Sequence, residues 1–555
     1  MTEVVVLADE LVDLMFDAEP LWPAILGIDP LRPGLGDLSE DAERDHRAKL
    51  TALAARARAL DPAGLTGEDR TTREVLLSQL QGHLDRLDSH AVEFTVSDLF
   101  VAPAVGLLTV LPRITVTGAE QGAVQLDRLA AIPAYLRQAL DRHRAGVAAG
   151  RVPVARLVRA AIEHLDRYLA NPSADPLIRQ PMPDDDFTAR RAALLDEVVR
   201  PGFAAYQDAL AAEIEPHGRP EDRPGVCWLP DGERIYTLLA RTHTTTERTP
   251  EELHETGLEL IDGLAREYAE IGARVFGTAE LPEIFDRLRT DPALRWKNAD
   301  ELLAGARAAI TRAEEAAPRW FGRIPPQPWV VEPVPEAEAP GGPAAYYLWP
   351  SADGKRPGTY FANTYEVTER FRHTAEVTAF HEAIPGHHFQ LSTALGLDDL
   401  PLLRRIGDFN AYSEGWGLYS ERLAHEMGLY SDDVSLLGML TMDSMRAGRL
   451  VVDTGLHAKG WSRRQAVDYL REHTPMPRVE IESEIDRYIS YPGQALSYMV
   501  GRLEIQRIRA RAEEILDSRF DVRDFHDVVL GGGALPLSVL DGVVTEWAAG
   551  QEASA

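Results

Sequence analysis

Apolar residues recur every three or four positions through most of this 555-residue chain, and that spacing restricts it to a mainly helical fold. The stretches "EDAERDHRAKLTALAARARAL", "TPEELHETGLELIDGLAREYAEIGARVFG" and "NADELLAGARAAITRAEEAAPRWF" are rich in Ala, Leu, Arg and Glu, all good helix formers. Thr249-Pro250-Glu251-Glu252 predicts a helix start, with a capping hydroxyl, Pro in the first turn and early acids. No fixed-period repeat indicates a solenoid. Strand signal is confined to "AAYYLWPSADGKRPGTYFANTY", two aromatic and β-branched runs around a Gly/Pro turn, which predicts a hairpin. Three Pro-rich stretches interrupt the helices, near Asn171, Glu215 and Arg323. The second marks the expected boundary between an N-terminal helical half, 1–225, and a C-terminal half, 226–555, that carries the chemistry, whether or not the two share one core.

With 58 basic against 88 acidic residues the net charge is -30, which disfavours nucleic acid and anionic membrane surfaces as partners. No apolar run approaches the length needed to span a bilayer, and no secretion signal is legible at the N-terminus, so a cytoplasmic protein is expected. The single cysteine, Cys227, excludes an internal disulfide and a thiolate cluster. Its setting, "GVCWLP", predicts a buried, inert thiol.

The chemistry concentrates in "TAFHEAIPGHHFQLS", residues 378–392. His381-Glu382 starts like a zinc-hydrolase helix, in which a second histidine four residues on shares the helix face and the Glu between them acts as general base. Here Pro385 occupies that position, and histidines come only at His387 and His388. On a straight helix His387 would lie about 120° round and about 9 Å along, and His388 about 10.5 Å away. Proline removes the N–H that would bond the His381 carbonyl and clashes with that carbonyl, and Gly386 is free to adopt unusual backbone angles. The helix is therefore expected to loop out about two residues at 384–386 and resume, bringing His387 to the missing position. His381 and His387 are the expected metal ligands, with His388 in support or as a substitute.

A third ligand is expected from "NAYSEGWGLYSERLAHEMG". Glu414 sits among Gly415, Trp416 and Gly417, where helices can approach closely. Glu421, seven residues on and nearly on the same face, is flanked by Ser420 and Arg422 and reads as peripheral. Candidate oxyanion donors are His457, Tyr491 and Tyr498, with Tyr488 nearby; the run 358–365 is a candidate edge strand along a substrate cleft. Arg446 and Arg449 are candidate carboxylate ligands, although arginines on a helix surface usually bind nothing. His83, His90, His254 and His473 lack partners at ligand spacing, and "GGGALP" reads as a chain reversal.

Taken together, "HEAIPGHHFQ", "EGWGLYSERL" and "RYISYPGQALSYMVG" resemble a widespread bacterial family of unknown function with the hallmark His-Glu-x-x-Pro-Gly-His, grouped with the zincin metallopeptidases. The resemblance covers most of the chain and is strongest over 344–533. It implies a large helical fold similar to the gluzincin carboxypeptidases and oligopeptidases, with a small sheet beside the active-site helix and a cleft between two helical halves. It also implies Zn2+ held by His381, His387 and Glu414, with Glu382 as general base toward water. The expected activity is hydrolysis of peptide or amide bonds in short peptides. A small-molecule amide or ester as substrate, or a metal-free helical scaffold in which Pro385-Gly386 only stops a helix, are the alternatives.

Overall fold

The computed structural model describes residues 2–336, 339–340, 342–350, 356–407 and 409–553. It is 71% helix and 3% strand, as the apolar spacing predicts. Helix α1, Pro250–Phe276, starts with the expected capping box: Thr249 accepts from the Glu252 amide while the Glu252 carboxylate accepts from the Thr249 amide. Gly277, at φ +72°, ends it. A small sheet follows, made of β1 (Trp329–Pro333), β2 (Ala345–Leu348) and β3 (Gly358–Ala362).

The strands lie in the order β1-β3-β2, with β3 parallel to β1 and antiparallel to β2. The expected hairpin is the β2–β3 pair, in which Tyr347 faces Tyr360 across the ladder; its turn, 351–355, lies outside the described residues. Strand β1 falls inside the third Pro-rich stretch, where the surrounding prolines outweighed the short apolar run Trp329-Val330-Val331. The sheet corrects one expectation. Strand β3 is central rather than an edge, and β2 is the strand beside the metal-motif helix.

That helix is α2, Ala375–Glu382, followed by α3, His387–Leu395, and α4, Asn410–Glu426. Next come α5 (Asp433–His457), α6 (Arg478–Ser490) and α7 (Ser497–Leu516). Glycines set how closely these helices pack. A Cβ on Gly501 would stand 1.8 Å from the Ala411 carbonyl oxygen, so α7 rests directly on the backbone of α4. A Cβ on Gly257 would stand 2.6 Å from Val451, where α1 crosses α5.

From Leu437 to His457, every residue of α5 except Met442 is buried. A helix buried nearly all round sits in a core rather than on a surface, so Arg446 (6% exposed) and Arg449 (4%) are interior groups and not the surface arginines the sequence suggests. The main core packs Leu7, Leu11, Leu50 and Leu53 with Phe380, Trp416 and Phe525, joining residues from both sides of the 225/226 boundary. Among the described residues no helix is long and apolar enough to cross a membrane.

Candidate metal centre

The helix carrying His381 breaks where proline requires. Ala383 leaves the helical region (φ -109°, ψ -108°), the Ile384–Pro385 peptide is cis, and α3 begins at His387. The His388 amide donates to the Ala383 carbonyl at 3.0 Å, a five-residue step that takes up the looped-out segment. Only glycine fits at 386, because a Cβ there would lie 1.9 Å from the His381 carbonyl oxygen. The indole of Trp416 donates to the carbonyls of Pro385 (3.0 Å) and Gly386 (3.3 Å), satisfying acceptors that the interruption leaves inside the protein. The outcome is that the His381 and His387 rings stand perpendicular, their centroids 4.8 Å apart.

Glu414, on α4, completes the group. Its Oε2 lies 3.5 Å from His381 Nε2 and 3.6 Å from His387 Nε2, and one ligand atom from each of the three residues falls within 4.8 Å of the others. Tetrahedral ligands at zinc distances stand about 3.3 Å apart, so the spacing suits one divalent ion with a small adjustment. Two imidazoles and a carboxylate are also the donor set that leaves a tetrahedral site open at its fourth position.

The other nitrogen of His381, Nδ1, is 2.8 Å from Glu421 Oε1. Glu421 is fully buried, and its Oε2 has no hydrogen-bond partner among the described residues. Far from peripheral, it directs Nε2 of His381 at Glu414 and His387. Gly417 makes room for this, since a Cβ there would come within 2.5 Å of the His381 ring. Burial opposes a charge on His381, but hydrogen bonds to Glu414 and Glu421 outweigh it and raise the imidazole to about 10. Burial likewise opposes ionisation of Glu414, and hydrogen bonds from His381 and His387 overcome it and hold the carboxyl well below its usual range.

Glu382, the last residue of α2, is half-buried. Its carboxylate has no hydrogen-bond partner among the described residues. Its charge is felt across the sheet: burial first, and the Glu382 carboxylate second, push the buried Tyr360 phenol on β3 upward.

The remaining candidates lie elsewhere. His388 turns toward the sheet, with Nδ1 2.5 Å from the Tyr347 hydroxyl, while burial holds it down at about 4 and a backbone hydrogen bond to Gln327 pulls the other way. It braces β2 against α3 and is no substitute ligand. His457 accepts from the Val226 amide through Nδ1 (3.1 Å) and donates to the Tyr488 carbonyl through Nε2 (3.0 Å). Both nitrogens are spent, so it cannot serve an oxyanion; it ties α5 to the segment at Val226 and to α6. Tyr491 packs edge-on to His243 and Phe100. The Tyr498 hydroxyl is 3.4 Å from Arg487, and its ring lies under the Arg449 guanidinium. These two tyrosines serve packing and an arginine network. Cys227 is partly buried, donates to the Leu456 carbonyl, and has its thiol pushed up by burial, in keeping with an inert role.

A family model described as a bacterial protein of unknown function (DUF885) matches residues 20–544. No curated protein matches the sequence. Among solved structures, a proposed lipoprotein from Colwellia psychrerythraea superposes with a TM-score of 0.90 at 25% identity, over 99% of each chain. A proposed lipoprotein of unknown function from Shewanella oneidensis superposes with a TM-score of 0.77 at 18% identity, over 98% of this chain and 100% of that one. At that identity the second shows the fold alone.

Proposed function

The chain belongs to the DUF885 family of bacterial proteins of unknown function, and from that premise we propose that it is a zinc-dependent hydrolase of peptide or amide bonds. The observation that carries this reading is the convergence of His381, His387 and Glu414 across a broken helix, with the charge of Glu382 acting on His381 beside them.

Zinc bound there would supply Lewis acidity, polarising a carbonyl oxygen and making water a nucleophile near neutral pH. The protein's own groups do the rest. Glu382 takes the proton of the attacking water and passes it to the leaving nitrogen. Glu421 fixes the tautomer and orientation of His381 through Nδ1. Strand β2 is an edge strand next to α2, the kind of element along which an extended peptide lies, which favours short unfolded segments over folded proteins. The test is a peptide-library cleavage profile of the zinc-reconstituted chain, with and without chelator. Chelator-sensitive cleavage is expected, and cleavage indifferent to metal removal would reject the reading.

A further inference from the structure

Charges do not balance in the interior beside this site. Along one side of α5 lie Asp443, Arg446, Arg449 and Asp453. Asp443 is already shared by two cations, Arg422 through one oxygen and Arg502 through the other. Glu484, on α6, takes Arg449 and the Tyr488 hydroxyl, with Arg487 3.4 Å away. Arg446 is left over. It is 6% exposed, and its Nε and Nη1 are buried without a hydrogen-bond partner among the described residues. Nη1 of Arg449 and Nε of Arg502 are also unpartnered. Asp453 makes a poor counter-ion, because burial pushes its carboxyl up to about 7. A buried guanidinium without an anion is costly and is rarely kept without a use.

A relay of side chains links this face to the helix that carries Glu414. Asn410 stands one turn before Glu414 on the same side of α4, about 6 Å along the axis. Its side-chain oxygen accepts from Gln494 (3.3 Å), and Gln494 accepts from Arg487 (2.6 Å). Arg487 reaches the Tyr498 hydroxyl at 3.4 Å, and the Arg449 guanidinium lies 4.5 Å above the Tyr498 ring.

We infer that Arg446 and Arg449 form a subsite for a carboxylate of the substrate, the C-terminal carboxylate of a short peptide. The inference rests on the hydrolase reading for its substrate class, and it makes the protein an exopeptidase acting near free C-termini. A carboxylate is the one anion every peptide carries at an end, and paired guanidinium donors are the groups that grip it best.

Two measurements on the full chain test this. In the first, the zinc-reconstituted protein is given matched N-blocked peptides ending in a free acid or an amide. Wild type should prefer the acid by about tenfold or more in kcat/KM, and Arg446→Met should bring that ratio near one. In the second, thermal unfolding is followed with glycyl-leucine or glycyl-leucinamide, in zinc and in chelator. The dipeptide should raise the Tm of wild type but not of R446M, and the amide should raise neither. R446Q is the second variant should R446M fold poorly, although removing an unpaired buried charge should leave the unliganded Tm at or above that of wild type. Equal shifts from acid and amide, a shift that survives in R446M, or an equal shift from sodium phosphate would each overturn the assignment. If no peptide is cleaved yet the dipeptide shift is lost in R446M, the subsite stands and the hydrolase reading fails.

Discussion

The Nδ1 of His381 and the Oε1 of Glu421 lie 2.8 Å apart in a buried pair. Such a carboxylate fixes which nitrogen faces the ion and makes the imidazole a better donor. Glu421→Gln should therefore keep the fold and lower zinc affinity by about 10–100-fold, measured by competition against a chromophoric chelator. Wild-type affinity in this variant would reduce Glu421 to a packing group.

Gly417 tests the same geometry from the other side. The Cβ of Gly417→Ala would press on the ring of His381, which cannot retreat while Glu421 holds it. Zinc affinity should fall by at least about tenfold, roughly 1.4 kcal/mol, with circular dichroism unchanged. Unaltered affinity would mean the ring has slack that the structure does not show.

Glu382 is the group whose loss should separate binding from chemistry. Glu382→Gln preserves shape and removes the base. Turnover should drop by about 10²–10⁴-fold while zinc content stays that of wild type. Retained activity would remove Glu382 from the mechanism.

Asp453 gives a prediction in pH. Its Oδ1 accepts from the Tyr236 hydroxyl and the Gly493 amide, its Oδ2 is buried without a partner, and burial raises the carboxyl from 3.8 to about 7. A raised carboxyl makes the folded state bind more protons than the unfolded one between those values, so its contribution is full below about pH 4 and is lost as pH rises through about 7. The span is at most about 4 kcal/mol. Asp453→Asn should flatten the fall in urea-unfolding free energy from pH 5 to pH 8. A variant that parallels wild type across that range would contradict the assignment.

How far the sequence carried depended on whether a feature was local. The break at Pro385-Gly386 was legible because proline's missing N–H and glycine's missing side chain act within one turn, and from them the approach of His387 to His381 follows. Glu414 and Glu421 were both visible, and their seven-residue spacing already placed them on one face. Their roles turned on the second nitrogen of His381, which spacing does not address. His457, Tyr491 and Tyr498 were judged by residue type; their partners, Val226, His243 and Arg487, lie far away or on other elements. The interior setting of Arg446 was hidden for the same reason, since charged residues in a helical pattern look like a solvated face until the neighbouring helices close over them.

The central claim is that three side chains brought together by a broken helix hold one metal ion. Elemental analysis of the purified chain, reconstituted with zinc and dialysed, tests it most directly beside His387→Ala and Glu414→Ala. One zinc per chain in wild type and little in either variant is the predicted result. Wild-type protein that retains no more zinc than the two variants would contradict the account.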